Sequence, residues 1–327
     1  DHRYLHSFPT RRSSDLPLSG PNAAYGTHMK EVIEAYFREL NAAGGIHGRK
    51  LELHVLDDGY ETERTLANTR ELITGKQVFA LLGFYGSSPT TEAMNTVFGP
   101  ARVPLIGTIS GAESLRPPRE QNPNGRYMFN VRASYADETA AIVNQLVSLG
   151  LRNVAVVYQN DGFGKSGLEG VIAALANHRL TPSAVASIER NSLEVAPAVA
   201  KLREVNPQAV VMVTLYKPTA EFVRQMKRAG QHPQFMTLSS VGAELLVEEL
   251  GEDARGIGIS QVMPYPWNDT TPLVAEYHRL NGKPGRYSYY GVEAYVTARV
   301  LVEGLRRAGK QLGRERLIAT LESLRDH

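Results

Sequence analysis

The stretch "NVAVVYQNDGFG", Asn153–Gly164, carries the reading of the fold. An unbroken apolar run ends in an acid-and-glycine turn. A strand with one wet face would alternate polar and apolar residues. A continuous apolar run marks a strand buried on both faces, as in a parallel sheet covered by helices.

The same plan recurs on either side. Lys50–Gly59, Val78–Ser88, Val103–Ala112, Ala209–Thr219, Phe235–Gly242 and Gly256–Pro264 all read as strands ending in turns. Amphipathic helical patterns sit between them, at Ala24–Ala43, Glu61–Thr74, Tyr135–Leu149, Lys217–Ala229 and Tyr290–Ala308. Each is followed by glycine, directly or within a residue, which is a helix-stop signal. Asp137 and Glu138 stand in the first turn of their helix, where the dipole favours acids. Strand alternating with helix predicts βαβ units and an α/β fold of doubly wound parallel sheets.

The alternation restarts. One series runs from Leu51 to about Phe129 and a second from Asn153 to about Gly251, with only helices after Pro264. Tyr127–Ser134 and Ile259–Trp267 are expected to cross between two lobes. The expected boundaries are residues 17–130 plus 262–327 for lobe one and 131–261 for lobe two. Two lobes with several crossings predict hinged closure over a cleft.

Composition narrows the function classes. The chain has 327 residues, enough for a sizeable core and about two domains. Lys+Arg 36 against Asp+Glu 34 leaves a net charge of +2, so no basic field argues for nucleic acid. There is no cysteine, which excludes disulfides and cysteine-based metal sites or nucleophiles. No apolar run approaches the ~20 residues needed to span a membrane.

Ligands of open parallel sheets bind outside the carboxyl ends of the strands. Those ends here are rich in hydroxyls, glycines and aromatics: Tyr85-Gly86-Ser87-Ser88, Thr108-Ile109-Ser110-Gly111, Asp161-Gly162-Phe163-Gly164, Leu215-Tyr216-Lys217 and Ser239-Ser240. Ser87 before a helix start is either a plain N-cap or part of a carboxylate cradle, and Ser110 invites the same two readings. Their place at neighbouring strand ends favours the second.

Enzyme motifs fail on inspection. "DGFGKSG" has Gln159 where a phosphate loop needs its first glycine, and "GTISG" has Thr108 where a nucleophile elbow needs glycine. The nine histidines contain no HExxH pair. Asp57-Asp58 reads as turn and capping chemistry rather than a metal site. Tyr25, Tyr85, Phe163, Tyr216 and the group Tyr287, Tyr289, Tyr290 lie near element ends. Around one cleft they would form an apolar pocket with a few polar groups.

"PLSGPNAAYG", "LNAAGGIHGRKLELHVLDDG", "VPLIGTISGAESLR", "VAVVYQNDGFGKSG" and "FVRQMKRAG" together resemble the type I substrate-binding proteins of ABC transporters, the leucine/isoleucine/valine-binding-like group. The resemblance covers about Pro17 to Arg325, in family order. It implies two Rossmann-like lobes joined by hinge crossings, an extracytoplasmic protein, and a small ligand such as an amino acid captured in the interlobe cleft. It implies delivery to a membrane permease, with membrane contact only through that permease or a lipid anchor. It implies no catalysis, no cofactor and no metal. The same fold also serves ligand-sensing domains of receptors and regulators.

Carried over by residue, the resemblance assigns Ser87 to the ligand α-carboxylate and Ser110 to carboxylate and ammonium. Thr108 and Ile109 would offer backbone groups. Tyr25 would cover the ligand from lobe one, and Phe163 and Tyr216 would close over it from lobe two. The branched-chain binders carry a glutamate for the ligand ammonium where this chain has Ser239, with Ser240 adjacent. Either Glu244 or another acid reaches in, or the ligand is not a simple α-amino acid.

Both ends of the chain depart from the pattern. "DHRYLHSFPTRRSSDL", residues 1–16, has neither a first strand's apolar run nor an export signal. It is expected to be a foreign or disordered extension, resembling translated adapter sequence, or at best an imperfect substitute strand. The family continues past the helix ending in "ATLESLRD", so C-terminal segments are expected to be missing.

Overall fold

A computed structural model describes residues 10–281 and 286–324, with side chains from Ser13 onward. The chain divides into two compact units. Lobe one takes the described residues up to Ile109, Ser114–Arg132 and those from Met263 on; lobe two takes Ser110–Glu113 and Ala133–Val262. The short excursion Ser110–Glu113 was not foreseen, and it places Ser110 with lobe two.

Lobe one is built from β1 (Thr10–Leu16), α1 (Ala23–Ala42), β2 (Leu51–Asp57), α2 (Thr62–Arg70), β3 (Ala80–Tyr85), α3 (Ser87–Ala93), β4 (Leu105–Ile109) and β5 (Met128–Phe129). Lobe two follows with α4 (Tyr135–Ser148), β6 (Val154–Gln159), α5 (Gly162–Asn177), β7 (Val185–Ile188), α6 (Ala196–Glu204), β8 (Ala209–Val213), α7 (Tyr216–Arg228), β9 (Gln234–Thr237), α8 (Ala243–Leu250) and β10 (Gly258–Ile259). The chain then returns to lobe one as α9 (Pro272–Asn281), α10 (Tyr289–Ala308) and α11 (Arg314–Glu322).

The sheets run β2-β1-β3-β4-β5 and β10-β9-β8-β6-β7, with every pairing parallel. Numbered within its own lobe, each has the doubly wound order 2-1-3-4-5. The apolar runs explain the interior: all of β3, β4 and β8 is buried, as are Val154–Val157 of β6. Helices bury the stripe their spacing dictates. In α7 it is Tyr216, Thr219, Ala220, Phe222, Val223 and Met226. In lobe one, Leu66, Leu72, Phe84, Met94, Phe98 and Leu105 belong to one apolar core.

Three expectations need correction. The run Gly256–Pro264 yields a strand only at Gly258–Ile259. The edge strand β7 was missed, because "VASI" is short and only alternately buried. Most consequential, the disordered alternative for residues 1–16 does not hold from Thr10: "TRRSSDL" is β1, between β2 and β3, the substitute strand that was the other alternative. Residues 1–9 lie outside the described residues. Physically, parallel pairing is a property of the backbone. β2 and β3 present unpaired N–H and C=O groups that an extended segment satisfies whatever its side chains.

The side chains of β1 register the misfit. Ser13, Ser14 and Asp15 are fully buried. Asn68 Nδ2 donates to Asp15 Oδ1 at 2.8 Å, and Ser14 Oγ donates to the Gly83 carbonyl at 3.4 Å. Asp15 Oδ2 and Ser13 Oγ find no hydrogen-bond partner among the described residues. Burial, then the nearby Asp58 and Asp57 charges, pushes the Asp15 carboxyl up to about 9, so it is neutral at neutral pH.

Candidate functional site

In a 2-1-3-4-5 sheet the chain turns opposite ways after its first and third strands, leaving a crevice at their carboxyl ends. Those ends are followed by Pro17–Gly20 and Gly86-Ser87 in lobe one, and by Asn160–Phe163 and Thr214–Tyr216 in lobe two. The sequence-predicted residues fall into one set per lobe.

In lobe one, Tyr25 stands in the first turn of α1. Its ring lies 5.2 Å from Tyr85, the last residue of β3, and 5.4 Å from Tyr290. Tyr60 meets Tyr85 edge-on at 5.2 Å. Gly86 follows with φ 92°, and a Cβ there would come within 2.3 Å of the Tyr60 ring, so only glycine makes this turn. It sets Ser87 as the first residue of α3, buried. Tyr85 is paired with Ile109 across β3 and β4, and Gly86 N donates to the Ile109 carbonyl at 3.3 Å. Tyr25, Ser87 and Ile109 are thereby brought together around Tyr85-Gly86.

Thr108 has a different place. Its Oγ1 donates to the Phe84 carbonyl at 3.0 Å and lies 3.2 Å from Thr90 Oγ1, which ties β4 to β3 and α3. The tyrosines 287, 289 and 290 do not stay together. Tyr290 joins Tyr25, Tyr289 meets Trp267 at 5.4 Å, and Tyr287 stacks on His278 at 3.7 Å. Asp57-Asp58 is turn chemistry. Asp57 accepts from Leu18 N, Ser19 N, Ser19 Oγ, Gly59 N and Arg64, and Asp58 accepts from Tyr60 N and Thr65 Oγ1.

In lobe two Phe163, Ser239 and the segment carrying Ser110 gather on the first turn of α4. A capping box fixes that turn: Asp137 N donates to Ser134 Oγ and Ser134 N to Asp137 Oδ2, each at 3.0 Å. Tyr135 N donates to the Gly111 carbonyl at 2.8 Å, which holds the segment carrying Ser110. Ser110 Oγ accepts from Ala112 N at 3.1 Å. The Tyr135 ring lies 5.3 Å from Phe163, which the N-cap Asp161 places in the first turn of α5. Tyr216 opens α7; burial, then the Glu249 and Glu248 charges, raises its hydroxyl pKa.

Ser239, one residue past the leucine that follows β9, has both of its donors committed. Its N donates to Glu138 Oε2 at 2.8 Å and its Oγ to Glu138 Oε1 at 3.0 Å. Ser260, directly after β10, donates from Oγ to Glu138 Oε2 at 2.6 Å. Sequence reasoning missed Glu138 as more than a dipole partner; Asp137 takes the capping role. A signal was available. Glu138 lies on the buried stripe of α4 with Tyr135, Thr139, Ile142 and Val143, an acid where the period calls for an apolar residue. No group of three or more His, Asp or Glu placed to hold a metal occurs among the described residues.

Two parallel α/β lobes with hydroxyl and aromatic residues at their strand ends define a two-lobed protein of the doubly wound class. The sequence profile described as periplasmic binding protein matches residues 16–326, and the chain belongs to that family. An amino acid binding protein of Pseudomonas aeruginosa is 24% identical over 298 residues, covering 90% of this chain and 77% of the relative. The crystal structure of a substrate-binding periplasmic protein from Ralstonia solanacearum superposes with TM-score 0.89 at 34% identity, over 97% of this chain and 90% of that one. A branched chain amino acid ABC transporter protein from Thermus thermophilus with bound valine shares the fold, with TM-score 0.85 at 19% identity over 96% and 82%. Membership places the chain among substrate-binding proteins rather than enzymes. No helix among the described residues is long and apolar enough to cross a membrane.

Proposed function

We propose that this chain is the extracytoplasmic substrate-binding component of an ABC importer. It captures an amino acid or similar small carboxylate and presents it to a membrane permease. One observation carries the reading. In each lobe an aromatic or hydroxyl residue comes after both strands that flank the crevice of a 2-1-3-4-5 sheet, Tyr25 and Ser87 in lobe one and Phe163 and Tyr216 in lobe two, at the edge where such sheets take ligands. Ile109, Ser110 and Ser239 lie at the ends of the neighbouring fourth strands. Lobe one contributes Tyr25, Ser87, Ile109 and the frame residue Thr108. Lobe two contributes Ser110, Phe163, Tyr216 and Ser239.

The test is a thermal-shift screen of the purified chain against amino acids and small carboxylates, followed by calorimetry. At least one member is expected to raise the melting temperature through preferential binding to the folded state. Ser87→Ala combined with Phe163→Leu is expected to abolish that shift. Leucine replaces phenylalanine because Phe163 is buried against Tyr135, and alanine would leave a cavity. No shift with any member, or an unchanged shift in the double variant, would refute the reading.

A further inference from the structure

Helix α10 of lobe one has two apolar faces. One packs into the core through Val292, Tyr295, Ala298, Leu301, Val302 and Leu305. The other carries Val296 and Val300, one turn apart and half-buried, where a solvated face calls for polar residues. Leu273 at the start of α9 and Leu324 just past α11 line the same groove, whose volume is about 560 Å³. Small-molecule sites span ~300–1,000 Å³. None of these residues belongs to the ligand set assigned above.

The polar groups at the groove set the sign of its occupant. Three arginines of α10 line it, Arg299, Arg306 and Arg307. Arg299 pairs with Glu276 at 3.0 Å and Arg307 with Glu303 at 2.6 Å. Arg306 is exposed, and no carboxylate pairs with it among the described residues. Tyr36 enters from α1. Its ring is buried, and its hydroxyl makes no hydrogen bond among the described residues. Burial raises the Tyr36 pKa, and the charges of Arg306 and Arg299 act against that rise, so both guanidinium groups stand near the hydroxyl. An apolar floor with one unpaired guanidinium and a phenolic donor suits an apolar body bearing one acid group. Val300 and Arg306 lie ~9 Å apart along the helix axis, so one small molecule reaches both.

We propose that this groove is a second binding site, formed within lobe one, for a soluble amphipathic acid such as a medium-chain carboxylate. Arg306 takes the acid group in a charge-assisted hydrogen bond, and the Tyr36 hydroxyl donates a second. Val296, Val300, Leu273 and Leu324 cover the apolar body. The site shares no residue with the capture function proposed above, and either can fail without the other.

The experiment is calorimetry with octanoate, and with octanol and octylamine as its neutral and cationic counterparts. It is run on the wild-type chain and on the Ser87→Ala/Phe163→Leu variant. Octanoate is expected to bind both proteins alike, and at least about tenfold more tightly than either counterpart. Arg306→Gln is expected to weaken octanoate by about tenfold and to leave octanol unchanged. Arg306 is exposed, so this variant should keep the wild-type melting temperature. Val300→Asp sets a like charge on the floor and is expected to abolish octanoate binding. Should Val300→Asp not fold, Arg306→Gln alone decides. Absence of octanoate binding overturns the inference. So does binding that is lost in the Ser87→Ala/Phe163→Leu variant, unchanged in Arg306→Gln, or matched by octanol. A dimer in sedimentation that Val300→Asp dissolves would assign the groove to a second copy of the chain and overturn it too. Attachment to phosphatidylglycerol vesicles without affinity for octanoate would do the same in favour of a lipid surface.

Discussion

β1 and β6 occupy the same place in their sheets. Each is the first strand of its lobe, flanked by the second and the third. β6 reads VAVVYQ and β1 reads TRRSSDL. β6 pairs with β8 from Val154 to Tyr158 and with β7 from Val156 to Gln159. β1 pairs with β2 along its whole length, but with β3 only at Arg12 and Ser13. Backbone geometry admits both segments. Side-chain chemistry separates them, because one brings buried methyl groups and the other a buried acid and two hydroxyls. The family profile begins at residue 16, so all of β1 except Leu16 lies outside the match. A position in a fold therefore dictates extended backbone more strictly than it dictates residue type, and the difference is borne as lost stability.

Transplanting the acid into the well-matched strand should have the largest effect. Val157 is fully buried in β6. Val157→Asp would have to keep its carboxyl protonated, at a cost of at least ~4 kcal/mol at neutral pH in addition to the lost packing. Whole domains are stable by only ~5–15 kcal/mol, so lobe two is expected to be unfolded or molten by near-ultraviolet circular dichroism. A variant with a native spectrum and an unaltered melting temperature would break the comparison.

The reverse change, Asp15→Asn, should stabilise lobe one. The Asp15 pKa is raised from 3.8 to about 9 by folding. A raised carboxyl favours the folded state fully only below the unfolded value. The contribution falls by ~1.4 kcal/mol per pH unit as pH rises from 3.8 towards about 9, then levels off. At pH 7 roughly 4 kcal/mol has been lost. Asn keeps the bond to Asn68 and removes the titration. The variant should gain ~3 kcal/mol at pH 7 and almost nothing near pH 4, read by urea denaturation at each pH. Equal stability of the two proteins across that range would show that Asp15 titrates normally.

What the sequence made legible follows the same division. Continuous apolar runs at β3, β4, β6 and β8 announced parallel strands, because burial on both faces leaves no room for alternation. β1 carries no such run, so its role is visible only in the register of its backbone. β5, β7 and β10 were hard to place because two to four residues at a sheet edge bury too little to leave a pattern. At the site, the residues beside strand ends were legible, since the turn chemistry marks them: Gly86 before Ser87 and Asp161 before Phe163. Glu138 was not, because it reaches the ends of β9 and β10 from a helix about a hundred residues earlier in the chain. Distances in sequence say nothing about that approach. The acid on an apolar helical stripe was the single local sign of it.

The loops after the two first strands give the smallest contrast. After β6, Asp161 caps α5 from within its own turn, with Oδ1 accepting from Gly164 N at 3.1 Å. After β1, α1 has no side-chain cap, and the loop is instead held from β2, where Asp57 accepts from Leu18, Ser19 and Gly59. Burial alone would raise the Asp57 pKa, but hydrogen bonds from Ser19, Leu18, Gly59 and Arg64 outweigh it and bring the carboxyl down to about 2. A lowered carboxyl stabilises the fold above its unfolded value of 3.8, and that contribution is lost as pH falls towards about 2. Allowing for its contact with solvent, it amounts to ~1 kcal/mol. Asp57→Asn should cost about that much at pH 7 and nothing near pH 2, so the two proteins' stabilities converge across the acid limb. Asp161→Ala should cost at least ~1 kcal/mol, because it removes the cap and also the acceptor of the buried Gln159 Nε2 at 2.7 Å. Denaturation curves for Asp57→Asn that stay parallel to wild type down to pH 2 would mean that the loop after β1 is held by its backbone bonds and not by the charge of Asp57.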